Sequence, residues 1–582
     1  MKIILVFIIL CSSLAAYSSE NDRLSAIFEK EWQFRLASNP MFSRSMGNEV
    51  ETLSLSDMSS EALQKSADFY ADLAEQLRAI NIDALSKRQK INFRIFKDQI
   101  QAQLSSSEFG MEQIPFNSDS GFYSGFTRAQ NNFTFKHKQD YLDYLQLLSS
   151  WEVHVNQQIK LMKTGLDRGF TQPREIIGNI PGRVRSFVSS DAKNSVFYKP
   201  FNKFPKHLSE QERQQLTARA LEVIDNSINS GYTKLADFFE QEYLPNARKT
   251  LGASELPNGA SFYQDQIRHY TTLNLTAQNI HQTGLDEVKR IRAEMDEIIK
   301  QVGFKGEFSE FLEFLRTDPQ FYAKTEQELL MYASFIAKKM DAKLPRLFNH
   351  LPRLPYGVAP VPEKIAPTYT TGRYVSAPKG STEPGYYWVN TYGLNKRPLY
   401  VLEALTLHEA VPGHHLQISL NQELGDLPPF RQYSYLSAFG EGWGLYSEWL
   451  GLEVGFYDDP YSNFGRLTYE MWRAVRLVVD TGIHAMGWTR QEAIDFLASN
   501  TALSMHNVKT EIDRYISWPA QALSYKIGEL TIKRLRKESE QALGKDFDIR
   551  EFHNVVLSQG SVPLSVLVEQ VQDYIKDKTK AD

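Results

Sequence analysis

Residues 405–417 read LTLHEAVPGHHLQ and gather His408, Glu409, His414 and His415 into one short stretch. Imidazoles and a carboxylate at this density can hold a divalent metal. A helix that does so through two histidines places them four apart, where they differ by only about 40° and roughly 6 Å. The glutamate beside the first histidine then faces a water on the metal and acts as its general base. His408 and Glu409 begin that pattern, but the position four after His408 is Pro412. On an unbroken helix His414 would lie about 240° round and 9 Å along. His415 would return to the same face roughly 10.5 Å away. Neither could share an ion with His408 at zinc–nitrogen bonds near 2.0–2.1 Å.

Pro412 changes the geometry. It has no N–H for the carbonyl of His408, and it pushes its predecessor out of the helical region. Gly413 tolerates the dihedrals that remain. The expectation is a two-residue bulge in the helix that carries His414 to the place where the ligand four residues on normally stands. The bland alternative is a histidine pair near a helix end that answers the helix dipole.

A third ligand must return from further along the chain. A helix from His414 to Glu423 rises about 14 Å, GDLPP turns at 425–429, and a helix from Phe430 climbs about 16 Å by Glu441. Glu441 is then level with His414. It stands between Gly440 and Gly442, opposite an apolar stripe of Leu436, Phe439, Trp443, Tyr446 and Leu450. A glutamate on such a face is ordinarily solvated. Combined with the histidine segment it completes a ligand set, with Glu448, two turns on, as the reserve.

The elements around these residues are mainly helical. Helical periodicity runs from about 22 to 248, over 60–104, 138–168 and 208–245, and resumes over 430–456, 461–487, 503–540 and 563–576. Glycine, proline and aromatic residues mark loops at 115–126 and 351–374. The second loop leads into one strong strand pattern, GYYWVNTY at Gly385–Tyr392. That strand either pairs with an extended peptide, with Tyr387 and Asn390 as contacts, or is an ordinary buried strand.

Composition removes other classes of function. The 582 residues carry 65 basic and 70 acidic side chains, a formal charge of −5, and no Lys/Arg-rich block, so nucleic acid is not expected as a partner. The first sixteen residues read as a secretory signal, which predicts a periplasmic or secreted protein. No later apolar run is long enough to span a bilayer. The only cysteine, Cys11, falls within that signal. A mature chain without cysteine has no disulfide, thiol nucleophile or thiolate ligand. A lipid anchor at Cys11 is disfavoured because Leu10 stands where such sites take a small residue. No G-x-S-x-G, P-loop or G-x-G-x-x-G pattern is present.

The segments HEAVPGHHLQ, EGWGLYSEWL, RAVRLVVDTGIHAMGWTRQEA and WPAQALSYKIG resemble the bacterial secreted family catalogued as domain of unknown function 885, grouped with the gluzincin-like metallopeptidases. The resemblance covers about residues 24–575. Its H-E-x-x-P-G-H pattern implies His408 and His414 as zinc ligands and Glu409 as base, and leaves His415 as a neighbour. Its E-G-W pattern implies Glu441 as third ligand. It also implies the long-helix, zincin-like fold of oligopeptidases and dipeptidyl carboxypeptidases, whose deep channel admits only short peptides.

The resulting expectation is a mainly α protein of two interleaved helical lobes, 17–255 and 256–582, with a small sheet beside the active-site helix. Zn²⁺ on His408, His414 and Glu441 would serve hydrolysis of a short peptide, with Glu409 moving the proton. Tyr525 and His484, in segments that match the family, are candidate donors to an oxyanion, or else structural. Arg473 and Arg476, three apart on one helix face, either receive a peptide carboxylate or make salt bridges. The reading from another class is an exported peptide- or partner-binding protein whose site holds no metal.

Overall fold

In a computed structural model, which describes residues 19–363, 365–378, 382–425 and 427–581, several helices begin at side-chain caps. The expected signal segment and Cys11 lie outside the described residues. The first helix, Glu20–Ser38, starts at Ser19, whose hydroxyl accepts the Asp22 N–H while Asp22 reaches back to the Ser19 N–H. It stops at Asn39, ahead of Pro40. The periodic stretch 60–104 resolves into two helices, Ser60–Arg78 and Lys87–Phe109, capped by Ser59 and Ser86. The stretch 208–245 stays helical from Glu210 to Asn246, through two π-helical turns.

Most of the chain is helical, and one hydrophobic core runs from Leu24 to Val571. Seven helices matter for the site: α1 (Ala277–Gln301), α2 (Leu402–Glu409), α3 (His414–Glu423), α4 (Ser437–Leu450), α5 (Pro460–Ala485), α6 (Met505–Ser517) and α7 (Ser524–Leu543). The expected helix over 503–540 is thus interrupted between Ser517 and Ser524. Helix α4 packs on α7 at glycine: a Cβ on Gly442 would lie 2.5 Å from the Gly528 Cα, and one on Gly528 would lie 2.0 Å from the Ala438 carbonyl oxygen. The two backbones therefore touch with no side chain between them. Phe439, Trp443, Tyr446 and Leu450 of α4 are fully buried, as the stripe predicts. No helix among the described residues is long and apolar enough to cross a membrane.

The sheet has three strands, β1 (Tyr356–Pro360), β2 (Gly372–Val375) and β3 (Gly385–Val389), in the order β1-β3-β2. Strand β3 runs parallel to β1, with Gly385 opposite Tyr356, and antiparallel to β2, with Val389 opposite Gly372. Two strands therefore lie where the sequence reading had only a loop. The third ends three residues earlier than expected, because the Asn390 amide donates to the carbonyls of Ala366, Tyr369 and Thr370 and pins the preceding loop.

The placement corrects the proposed peptide contact. Both edges of β3 are taken, so an extended peptide cannot pair there; among the described residues the strand with an edge turned away from β3 toward α2 is β2. Tyr387 and Asn390 are completely buried, and the Tyr387 hydroxyl meets that of Thr406 at 3.4 Å. Tyr387 thus holds the sheet on α2, and Asn390 holds the loop that precedes β2.

Candidate metal centre

Every residue of α2, Leu402 to Glu409, is buried. The helix does not bulge at Pro412; it ends, and α3 starts afresh at His414. Residues 410–413 form the joint, with Val411–Pro412 cis and the His415 N–H bonded to the Ala410 carbonyl at 3.1 Å. A Cβ on Gly413 would stand 1.8 Å from the His408 carbonyl oxygen, so only glycine lets the joint fold back onto the end of α2. The break does what the bulge was expected to do: the His408 and His414 rings lie 4.7 Å apart, almost perpendicular at 87°.

Glu441 arrives by a different route from the one its hairpin arithmetic assumed. After the short helix Pro429–Gln432 the chain runs irregularly, and α4 begins only at Ser437. Glu441 is nevertheless level with both rings. Its Oε2 lies 3.5 Å from the Nε2 of His408 and 3.5 Å from the Nε2 of His414. The three donor atoms lie within 4.8 Å of one another, the one such group among the described residues. A tetrahedral ion with bonds of 2.0–2.1 Å separates its ligand atoms by roughly 3.4 Å. The two nitrogen–oxygen edges match that separation, so the side chains present fit a zinc-sized cation.

The surrounding groups orient these ligands. His408 Nδ1 and Glu448 Oε1 are 2.8 Å apart, which puts the ring proton on Nδ1 and leaves the Nε2 lone pair for the cluster. Glu448 is therefore an orienting partner rather than a reserve ligand, and the Arg473 guanidinium stands 3.8 Å behind it. Gly444 lies beneath the ring, where a Cβ would be 2.6 Å from the His408 Cε1. Burial alone would favour a neutral His408, but the carboxylates of Glu441 and Glu448 outweigh it and push the imidazole up to about 10. Burial would raise Glu441, and the two histidines hold it well below the usual carboxylate range. The centre stabilises positive charge.

Glu409 is buried at the edge of the cluster, and its Oε2 accepts the Tyr374 N–H of β2 at 2.7 Å. His415 faces the same strand: its Nδ1 meets the Tyr374 hydroxyl at 2.9 Å, and burial lowers it to about 4, so it is a neutral bracket between α3 and β2.

One residue escaped the sequence reading. Tyr435 donates its hydroxyl to Glu441 Oε1 at 3.0 Å while its ring remains half exposed. A Cβ on Gly440 would be 2.5 Å from that ring, so the glycine beside Glu441 is the signal that could have pointed to it. Replacing either orienting group, by Glu448→Gln or Tyr435→Phe, should weaken zinc binding about 10- to 100-fold with the fold intact. Competition against a chelator of known affinity, alongside circular dichroism, measures both effects.

The remaining expected site residues divide. Tyr525 packs its ring 4.5 Å from the Arg476 guanidinium and lies within electrostatic reach of the Tyr435 hydroxyl, beside the cluster. His484 does not join it. Its Nδ1 accepts the Ala253 N–H and its Nε2 donates to the Tyr515 carbonyl, each at 3.0 Å, and burial holds it near 3. With both nitrogens committed to backbone it has none for an oxyanion. Arg476 bonds Tyr515 and Glu511 of α6 and stacks on Trp472. Arg473 covers Tyr469 and Trp472 besides backing Glu448. Both are buried, and the Arg473 Nε and Arg476 Nη1 have no hydrogen-bond partner among the described residues.

Comparison with known proteins agrees with this architecture along nearly the whole chain. A crystal structure from Colwellia psychrerythraea, described as a "putative lipoprotein", is 29% identical, with a TM-score of 0.86 over 96% of this chain and 100% of that one. A second from Shewanella oneidensis, a "putative lipoprotein of unknown function", shares the fold at 18% identity, with a TM-score of 0.74 over 95% of this chain and 99% of that one. No curated protein matches. The family described as "Bacterial protein of unknown function (DUF885)" matches residues 40–571, and the chain belongs to that family.

Proposed function

We propose that the protein is an exported zinc peptidase of zincin-like, gluzincin type that hydrolyses short peptides. The observation that carries this reading is the ligand triangle, whose two 3.5 Å edges to Glu441 Oε2 fit a tetrahedral cation, with Glu409 next to the first ligand. His408, His414 and Glu441 would hold Zn²⁺. When bound, the ion supplies Lewis acidity toward a carbonyl and acidifies water.

The chain's own residues do the rest. Glu409, pinned through Oε2 by the Tyr374 N–H, keeps its second oxygen for a proton. It takes that proton from the attacking water and delivers it to the leaving nitrogen. The C–N bond breaks as the water oxygen joins the carbonyl carbon, giving a carboxylate and an amine. Glu448 and Tyr435 keep His408 and Glu441 aimed throughout. The lipoprotein descriptions of the two structural relatives support a location outside the cytoplasm.

Metal analysis of gently purified protein, followed by mass spectrometry on a mixed peptide library, tests the reading. The expected result is one zinc per chain and defined cleavage products that disappear on chelation and return with zinc. A stoichiometry near zero with no gain on adding zinc would overturn it in favour of a metal-free binding protein.

A further inference from the structure

Strand β2 turns the Tyr374 N–H away from β3 and onto Glu409, so a peptide whose reacting carbonyl meets Glu409 would pass beside this strand. At the other end of this strand stands a cation with no acidic partner. Arg397 approaches the Thr371 hydroxyl through Nη1 and the Tyr392 carbonyl through Nε, each at 3.3 Å, and makes no ion pair among the described residues. These are two long contacts to neutral acceptors, against a normal 2.9–3.0 Å and five N–H donors on a guanidinium. Burial draws its pKa down, with no carboxylate to offset the effect. Unlike Arg473 and Arg476, which pair with Glu448 and Glu511, this arginine faces no carboxylate among the described residues.

Strand geometry supplies a ruler. Thr371 and Tyr374 are three residues apart, roughly 10 Å at a strand's rise per residue. A peptide lying antiparallel to β2 runs toward the Gly372 end, so its C-terminal side approaches Arg397. With its reacting carbonyl at Glu409, its chain would reach the guanidinium after two or three residues.

Resting on the peptidase reading, we propose that Arg397 binds the C-terminal carboxylate of the substrate, so that the enzyme removes a fragment of two or three residues from peptides with a free C-terminus. Arg397 is a specificity residue and takes no part in the bond-breaking step. The guanidinium would exchange its two weak contacts for a bidentate, charge-assisted pair.

The test uses one peptide sequence as its free acid and as its C-terminal amide. Wild-type protein should cleave the acid with a kcat/KM about 10- to 100-fold above the amide. Arg397→Ala should remove that preference, chiefly through KM, and Arg397→Lys should restore part of it; Lys396→Ala, exposed on the same loop, should behave as wild type. In parallel, acid and amide are titrated calorimetrically into zinc-loaded Glu409→Gln protein with and without Arg397→Ala. An acid preference that persists without Arg397, or equal binding of acid and amide, overturns the carboxylate subsite while leaving the peptidase reading standing. Binding that favours the acid with no cleavage by any variant overturns the peptidase reading and keeps the subsite.

Discussion

Glu409→Gln protein should retain one zinc per chain and lose peptide hydrolysis by up to about 10⁴-fold, the upper range for removing a general base. The substitution is nearly isosteric, and the amide oxygen of glutamine can still accept the Tyr374 N–H that holds Glu409 now. The Nε2 atoms of His408 and His414 and the Oε2 of Glu441 are untouched, so zinc content measured by plasma emission should not change. What disappears is the basic oxygen. The loss should appear in kcat with KM nearly constant. Activity equal to wild type at full zinc occupancy would remove Glu409 from the mechanism.

His414→Ala should weaken zinc binding by about two to three orders of magnitude. Zinc binding free energies of about 10–16 kcal/mol spread over four ligands give roughly 3–4 kcal/mol for each, a weakening of about 10²- to 10³-fold. His414 is the informative ligand to remove. Its Nδ1 is buried with no partner, so deleting the ring leaves no orphan except Glu441, which keeps the Tyr435 hydroxyl. The His408–Glu448 pair stays whole. Zinc should raise the thermal midpoint of wild-type protein, because the metal binds only where the three ligands have been brought together, and should raise that of the variant much less at the same zinc concentration. An equal rise in both would exclude His414 as a ligand.

The sequence was most informative where backbone rules are strict. Pro412 and Gly413 announced a break between the histidines, and the stripe from Phe439 to Leu450 set the face of α4 that carries Glu441. It was less informative about how the break is made: an α-helix ending and restarting differs from a bulge only in the contact of the joint with the His408 carbonyl, which is set by packing. Strands β1 and β2 were read as loop because they are five and four residues long, in a stretch rich in glycine and proline. Glu448 was misassigned because a hydrogen bond between helices leaves no periodicity in either one, and Tyr435 was missed because it stands in the irregular segment before α4. The arginines misled for a related reason. Three-residue spacing puts Arg473 and Arg476 on one face but does not say that α6 and the rings of Tyr469 and Trp472 cover that face.

The glycine contact between α4 and α7 ties the proposed metal centre to helix seating. Helix α4 carries both a ligand, Glu441, and the partner that aims another, Glu448, so it moves the two as a single lever. Its depth is fixed by backbone meeting backbone at Gly442 and Gly528, where one added methyl would collide with the Ala438 carbonyl oxygen at 2.0 Å. On the proposed reading, affinity for zinc becomes a gauge of how closely two helices sit. A methyl group on α7, on a residue that touches no ligand, would be felt at the metal as a change in both the distance to Glu441 and the tilt of the His408 ring.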